Sequence, residues 1–183
     1  MNLVKSLLGS QSGALVNSIA KAAGVDPKDA ENVIGKLLPA LSKGVKNNTT
    51  DQDGLDNLLN ALNKGDHQRY IDDPDSLQGT DSTDEGNSIL GHIFGSKDVS
   101  RNVAAHTAKE TGISSGIIKK MLPLVAAVAM GALSKKSAGA GLLGTALAGG
   151  AGSKAMGMLT SFLDADDDGH VIDDVLRLAK KLF

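Results

Sequence analysis

The chain repeats itself, and this constrains its fold more than any single motif does. Four segments recur in the same order in the two halves. NLVKSLLGS at 2–10 parallels SILGHIFGS at 88–96, and IAKAAGV at 19–25 parallels TAKETGI at 107–113. VIGKLLP at 33–39 parallels IIKKMLP at 117–123, and LLNALNKGDHQRYIDD at 58–73 parallels LTSFLDADDDGHVIDD at 159–174. The offsets are 86, 88, 84 and 101 residues, so connecting segments changed length while the order held. Apolar positions within the matches fall at helical spacing, as in Leu3, Val4, Leu7 and Leu8 against Ile89, Leu90, Ile93 and Phe94. The pattern predicts two duplicated multi-helix units packed together, with short helices and no sheet, an all-α fold. The larger last offset predicts an Ala/Gly-rich insertion of about one helix at 132–152.

Each unit reads as a short helix, a helix stopped by Gly24 or Gly112, and a longer core helix. Asp26, Pro27 and Asp29 have the order of an N-cap, a first-turn proline and a first-turn acid. Val33, Ile34, Leu37, Leu38, Leu41 and Val45 then form one apolar stripe. Ser114 or Ser115 is expected to cap the matching helix. Pro39 and Pro123 fall inside these runs, where a missing donor and a steric clash predict a kink or break. A further helix carries Leu55, Leu58, Leu59 and Leu62 behind a cap at Asp53. The stretch 72–87, DDPDSLQGTDSTDEGN, has six acids, no base and a single Leu, and reads as a solvated linker. The predicted organisation is therefore a first unit at 1–74, an acidic linker at 75–87 and a second unit at 88–183. A merged domain is favoured, because a unit of about 80 residues is marginal alone.

Composition narrows the function. The aromatic residues are Tyr70, Phe94, Phe162 and Phe183, with no Trp, so the core must be aliphatic and base-stacking platforms are excluded. Nineteen basic against 21 acidic residues provide no positive field for a phosphate backbone, which argues against nucleic acid as a partner. Cysteine is absent, which removes disulfides, thiolate metal sites and a Cys nucleophile. No early apolar run of signal-peptide length is seen, and a cytoplasmic location is the expectation. The most apolar stretch, MLPLVAAVAMGAL at 121–133, is short for a bilayer span of about 20 residues and reads as a buried helix.

One loop carries recognisable chemistry. Asp164, Asp166, Asp168 and Gly169 match the front half of an EF-hand loop, in which alternate carboxylates turn inward and Gly permits the bend. His170 stands where a backbone carbonyl is the ligand. The back half departs from the pattern, with Ile172 and Val175 in place of an oxygen donor and the closing Glu. Asp173 or Asp174 would have to close the site. Calcium is the cofactor this donor set suits, in a structural role. The alternative is that these acids only cap and complement the final helix. The first-half counterpart, Asn63, Lys64, Gly65, Asp66, His67 and Gln68, has lost the alternating acids and is not expected to bind calcium.

No catalytic constellation emerges. His67, His92, His106 and His170 show no zinc or nucleophile–base spacing, and no Gly-x-Ser-x-Gly stands on a strand–turn–helix. A non-enzyme is expected. ILGHIFG, the KKMLP turn and SFLDADDDGHVIDDVL resemble the bacterial family of unknown function DUF937, which includes YidB-like proteins. The resemblance implies a small helical bacterial protein and supplies no catalytic residues. The reading is a structural or interaction protein that meets a protein partner or a second copy of itself. The alternative is a protein that associates with membranes through an apolar hairpin at 121–152.

Overall fold

The computed structural model describes residues 12–48 and 52–139. Over them the chain forms seven α-helices and one 3-10 helix, with no strand among the described residues. These are α1 (Ser12–Ala23), α2 (Pro27–Asn48), α3 (Gln52–Lys64), α4 (Arg69–Asp72), the 3-10 helix (Pro74–Gln78), α5 (Thr80–Phe94), α6 (Lys97–Thr111) and α7 (Ser115–Gly139). The class is all-α, as the periodicity predicts. Helix α7 is the axis of the assembly and touches each of the other six α-helices, α5 most extensively. It carries apolar residues nearly all round. Ile118, Met121, Leu122, Leu124, Val125, Ala126, Ala127, Val128 and Met130 are all buried, as expected for a helix enclosed on every side.

The predicted punctuation is largely present. Gly24 and Gly112 both hold φ of 74°, in the left-handed region where a β-carbon is strained, and each ends a helix. The Asp26 carboxylate accepts from Lys28 N at 2.9 Å and the Ser114 hydroxyl from Ile117 N at 3.4 Å, and Ser96, a cap the sequence analysis does not name, accepts from Val99 N at 3.3 Å. The whole predicted stripe of α2, from Val33 to Val45, is buried. In α3, Leu58 and Leu62 are buried, while the side chains of Leu55 and Leu59 lie outside the described residues. Asp53 falls in the first turn of α3 rather than at its cap.

Two expectations need correction. Of the kink or break expected at Pro39 and Pro123, the break does not occur, and the helices run on as 22 and 25 residues. An interior proline costs about 3 kcal/mol, which burial of several large aliphatic side chains at roughly 1.5–3 kcal/mol each offsets. The carbonyls deprived of a helical donor belong to Gly35, which is half-buried, and Lys119, which is exposed, so water can serve them. The acidic stretch 72–87 is not a solvated linker. It contains the 3-10 helix and the first half of α5. Leu77 is 1% exposed, and the buried positions of α5 are Ser82, Gly86, Ile89, Leu90 and Ile93. That is one helical stripe whose first two members are a serine and a glycine, so hydropathy does not reveal it. Asp75, Asp81 and Asp84 occupy the exposed side. The Ser82 hydroxyl reaches both the Leu77 carbonyl (2.7 Å) and the Gly79 carbonyl (2.6 Å).

Apolar side chains from before and after this stretch, from Leu15 to Leu133, join one contiguous core. Of the four repeated segments, the middle two are described in both copies. Each pair occupies corresponding places, a glycine-stopped helix end and the proline-containing part of a long helix. The segment 2–10, the end of the insertion at 140–152 and the segment 159–174 lie outside the described residues. The apolar run 121–133 is buried as expected, but its helix is longer than the run. Ser115–Lys135 is long and apolar enough to cross a membrane, with a mean hydropathy of 1.6, and 67% of that window is buried inside the protein.

The α5–α7 contact depends on Gly86. A β-carbon there would stand 2.1 Å from the Pro123 carbonyl oxygen, a backbone atom that cannot step aside. Gly86→Ala is therefore expected to lose about 1–3 kcal/mol or more through overpacking. Gly91→Ala on the same helix, with nothing within 4 Å of the new carbon, is expected to gain about 0.4–1 kcal/mol. Urea unfolding of both variants followed by circular dichroism measures the contrast.

Candidate functional site

The strongest convergence of polar side chains in the described protein lies where the turn between α3 and α4 meets α5. Gly65 opens this turn, and its lack of a side chain makes room for the imidazole of His67. A β-carbon at position 65 would fall 2.0 Å from His67 Nε2. His67 is 4% exposed and Tyr70 is fully buried. Both turn toward Glu85, one position before Gly86 on α5.

Glu85 is the hub. Its Oε2 accepts from the Tyr70 hydroxyl and from Arg69 Nη2 at 2.7 Å. Its Oε1 lies 2.6 Å from His67 Nδ1, a close ion-pair approach without good hydrogen-bond alignment. Arg69 Nη2 also donates to the Tyr70 hydroxyl at 2.7 Å, and its guanidinium sits 4.8 Å from the centre of that ring. His67 Nε2 is 2.9 Å from the Ala61 carbonyl of α3. Further along, Gln68 donates to the Ser134 hydroxyl of α7 at 3.4 Å, and Asp72 pairs with Lys135. The cluster thus ties α3, α4, α5 and α7 at one point.

Electrostatics follow from this packing. Partial burial alone would raise the Glu85 carboxyl, but the Tyr70 hydroxyl, His67 and Arg69 outweigh it and hold the carboxyl below its ordinary value. Burial pushes the Tyr70 phenol up, and the adjacent Glu85 carboxylate adds to the rise. Each polar atom of the carboxylate faces a neighbour within the protein. The His67 imidazole is buried, while the Glu85 and Arg69 side chains are 22% and 42% exposed.

The site residues predicted from sequence, Asp164, Asp166, Asp168, His170, Asp173 and Asp174, lie outside the described residues. Among the described residues, no three His, Asp or Glu side chains converge as a cation site. His92 is exposed and offers its backbone carbonyl to Asn48. His106 lies 3.8 Å from Glu110 on the same exposed face of α6. Sequence reading missed the His67–Glu85 pairing, because the partners are 18 residues apart on elements whose packing spacing cannot reveal.

A family model described as a bacterial protein of unknown function, DUF937, matches residues 5–136. The chain belongs to this family. The match covers the whole described DUF937 core up to the last turn of α7, including all four members of the Glu85 cluster. No curated protein and no solved structure matches the chain.

Glu85 titrates lower folded than unfolded, so its contribution to stability is complete above the unfolded carboxylate pKa of about 4.3 and is lost as pH falls through the lower folded value. Glu85→Gln is accordingly expected to cost about 1–3 kcal/mol near neutral pH. The difference from the parent should shrink as pH falls below the unfolded carboxylate pKa of about 4.3 and through the lower folded value. Urea titrations at several pH values measure it.

Proposed function

We propose that this DUF937 protein is a non-enzymatic structural or protein-interaction module. The observation that carries the reading is the Glu85 cluster. The one place where a histidine, an acid, a tyrosine and an arginine meet has its hydrogen-bonding capacity turned inward, with His67 and Tyr70 buried. Balanced charge and a near absence of aromatic residues argue against nucleic acid. The partner is then a protein, including a second copy of the chain. Light scattering on the purified full chain tests the second case. A mass that is a multiple of 18.7 kDa supports self-association, and a monomer at high concentration directs the reading to a heterologous protein.

The reading includes a structural calcium ion held by Asp164, Asp166, Asp168, the His170 carbonyl and Asp173 or Asp174, supported by the spacing of these oxygen donors. Calcium at 100-fold above its dissociation constant adds about 2.7 kcal/mol to the folded state. A rise of about 5–10 °C in melting temperature is therefore expected over a chelator control, followed by circular dichroism and abolished in Asp168→Ala. Coincident melts would leave the acids as helix caps.

A second reading, membrane association through 121–152, is favoured by the length and apolarity of α7 and opposed by its burial. Co-sedimentation with anionic and neutral liposomes separates the two. Complete recovery in the supernatant removes the membrane reading.

A further inference from the structure

We propose that His67 is a proton-operated latch, whose doubly protonated ring holds the turn at 65–73 onto α5 and, through it, seats α7. Both ring nitrogens face acceptors: Nε2 the Ala61 carbonyl at 2.9 Å, and Nδ1 the Glu85 carboxylate at 2.6 Å. A neutral imidazole carries one N–H and one lone pair, so it can satisfy only one of the two. With the proton on Nε2, the Nδ1 lone pair would be pressed against a carboxylate oxygen. With the proton on Nδ1, the Nε2 lone pair would face a carbonyl oxygen. The imidazolium donates to one and pairs electrostatically with the other.

The carboxyl does not supply the missing proton, because the Tyr70 hydroxyl and Arg69 both donate to Glu85 Oε2 and favour its ionised form, which leaves Oε1 without a hydrogen to give. Of these three, Glu85 is the charged group that the ring itself approaches, and Tyr70 and Arg69 act on it through the carboxylate. Helix α3 presents the Ala61 carbonyl, and α7 presents Ser134 to Gln68 and Lys135 to Asp72. The ring cannot shift to relieve a mismatch, because it is 4% exposed and packed over Gly65.

The same turn meets α7 by its backbone. The His67 carbonyl lies where a β-carbon on Gly131 would be 2.4 Å away. Loss of the proton would therefore loosen the turn from α5 and withdraw a wall of the cavity that encloses α7. The latch is built from groups on three elements, the Ala61 carbonyl of α3, the His67 ring and the Glu85 carboxylate of α5.

Long-range proton–nitrogen spectra of the histidine rings in the labelled full chain, taken from about pH 5 to about pH 9, test the proposal. They are combined with amide-exchange protection factors, which are corrected for the intrinsic pH dependence of exchange. Both His67 nitrogens should carry protons at the low end, and loss of one at higher pH should coincide with a several-fold fall in protection across 66–73. Exposed His106 is the internal reference. His67→Gln should lose the pH dependence of protection in this turn, and Glu85→Gln should move the loss of the second ring proton to lower pH. A singly protonated His67 ring at every pH in the unmodified protein would overturn the proposal. So would an unchanged pH dependence in His67→Gln. The ring spectrum of the parent decides the matter even where a variant fails to fold.

Discussion

The enclosure of α7 is the constraint on which the rest of the structure depends. Between Met121 and Val128 every residue of α7 is buried, so this part of the helix has no side to give to water and the other helices must surround it. Close enclosure in turn demands small residues at the points of nearest approach. Gly86 of α5 meets the Pro123 carbonyl, and Gly131 of α7 meets the His67 carbonyl. Ala126 and Ala127, both fully buried, fill the centre without the bulk that aromatic residues would bring. The low aromatic content and the high alanine and glycine content are thus two sides of one packing solution, in which backbones approach closely and side-chain volume is modest.

The polar cluster around Glu85 belongs to the same solution. The turn between α3 and α4 must close one side of α7, yet it has few large apolar residues with which to do so. Tyr70 supplies one buried ring, and its hydroxyl then needs a partner. Glu85 provides it, and Arg69 offsets the charge that this brings into a partly buried place. Each member answers a requirement set by another, which makes the cluster a single cooperative unit rather than four separate contacts. Its position beside Gly86 couples it to the close approach of α5 to the α7 backbone at Pro123.

Legibility in the sequence followed hydropathy. The α2 stripe, the glycine stops, the Asp26 cap and the burial of 121–133 were all readable, because each depends on residues close together in the chain. The acidic stretch was misread for a specific reason. Its buried face is Leu77, Ser82 and Gly86, and two of those three have no apolar signature. A serine that returns its hydroxyl to nearby carbonyls and a glycine that admits a neighbouring backbone are core residues only by virtue of what packs on them. The prolines were overestimated in the same way, since the local penalty is real but smaller than the burial that keeps each helix whole. His67 was invisible as a site because its partners, Ala61 and Glu85, lie on helices before and after it.

By itself, the sequence determined that the chain would be all-helical with an aliphatic core, where several helices would start and stop, and which helix would be most deeply buried. Those properties follow from local periodicity and from the backbone limits of glycine and proline. Only the tertiary structure decided that the acidic segment belongs to the core, that Gly86 and Gly131 are contact points, and that His67, Arg69, Tyr70 and Glu85 form one cluster. These are properties of pairs of elements. Their cause is the distance between backbones and the proton count between facing polar atoms, and neither quantity exists until the helices have packed.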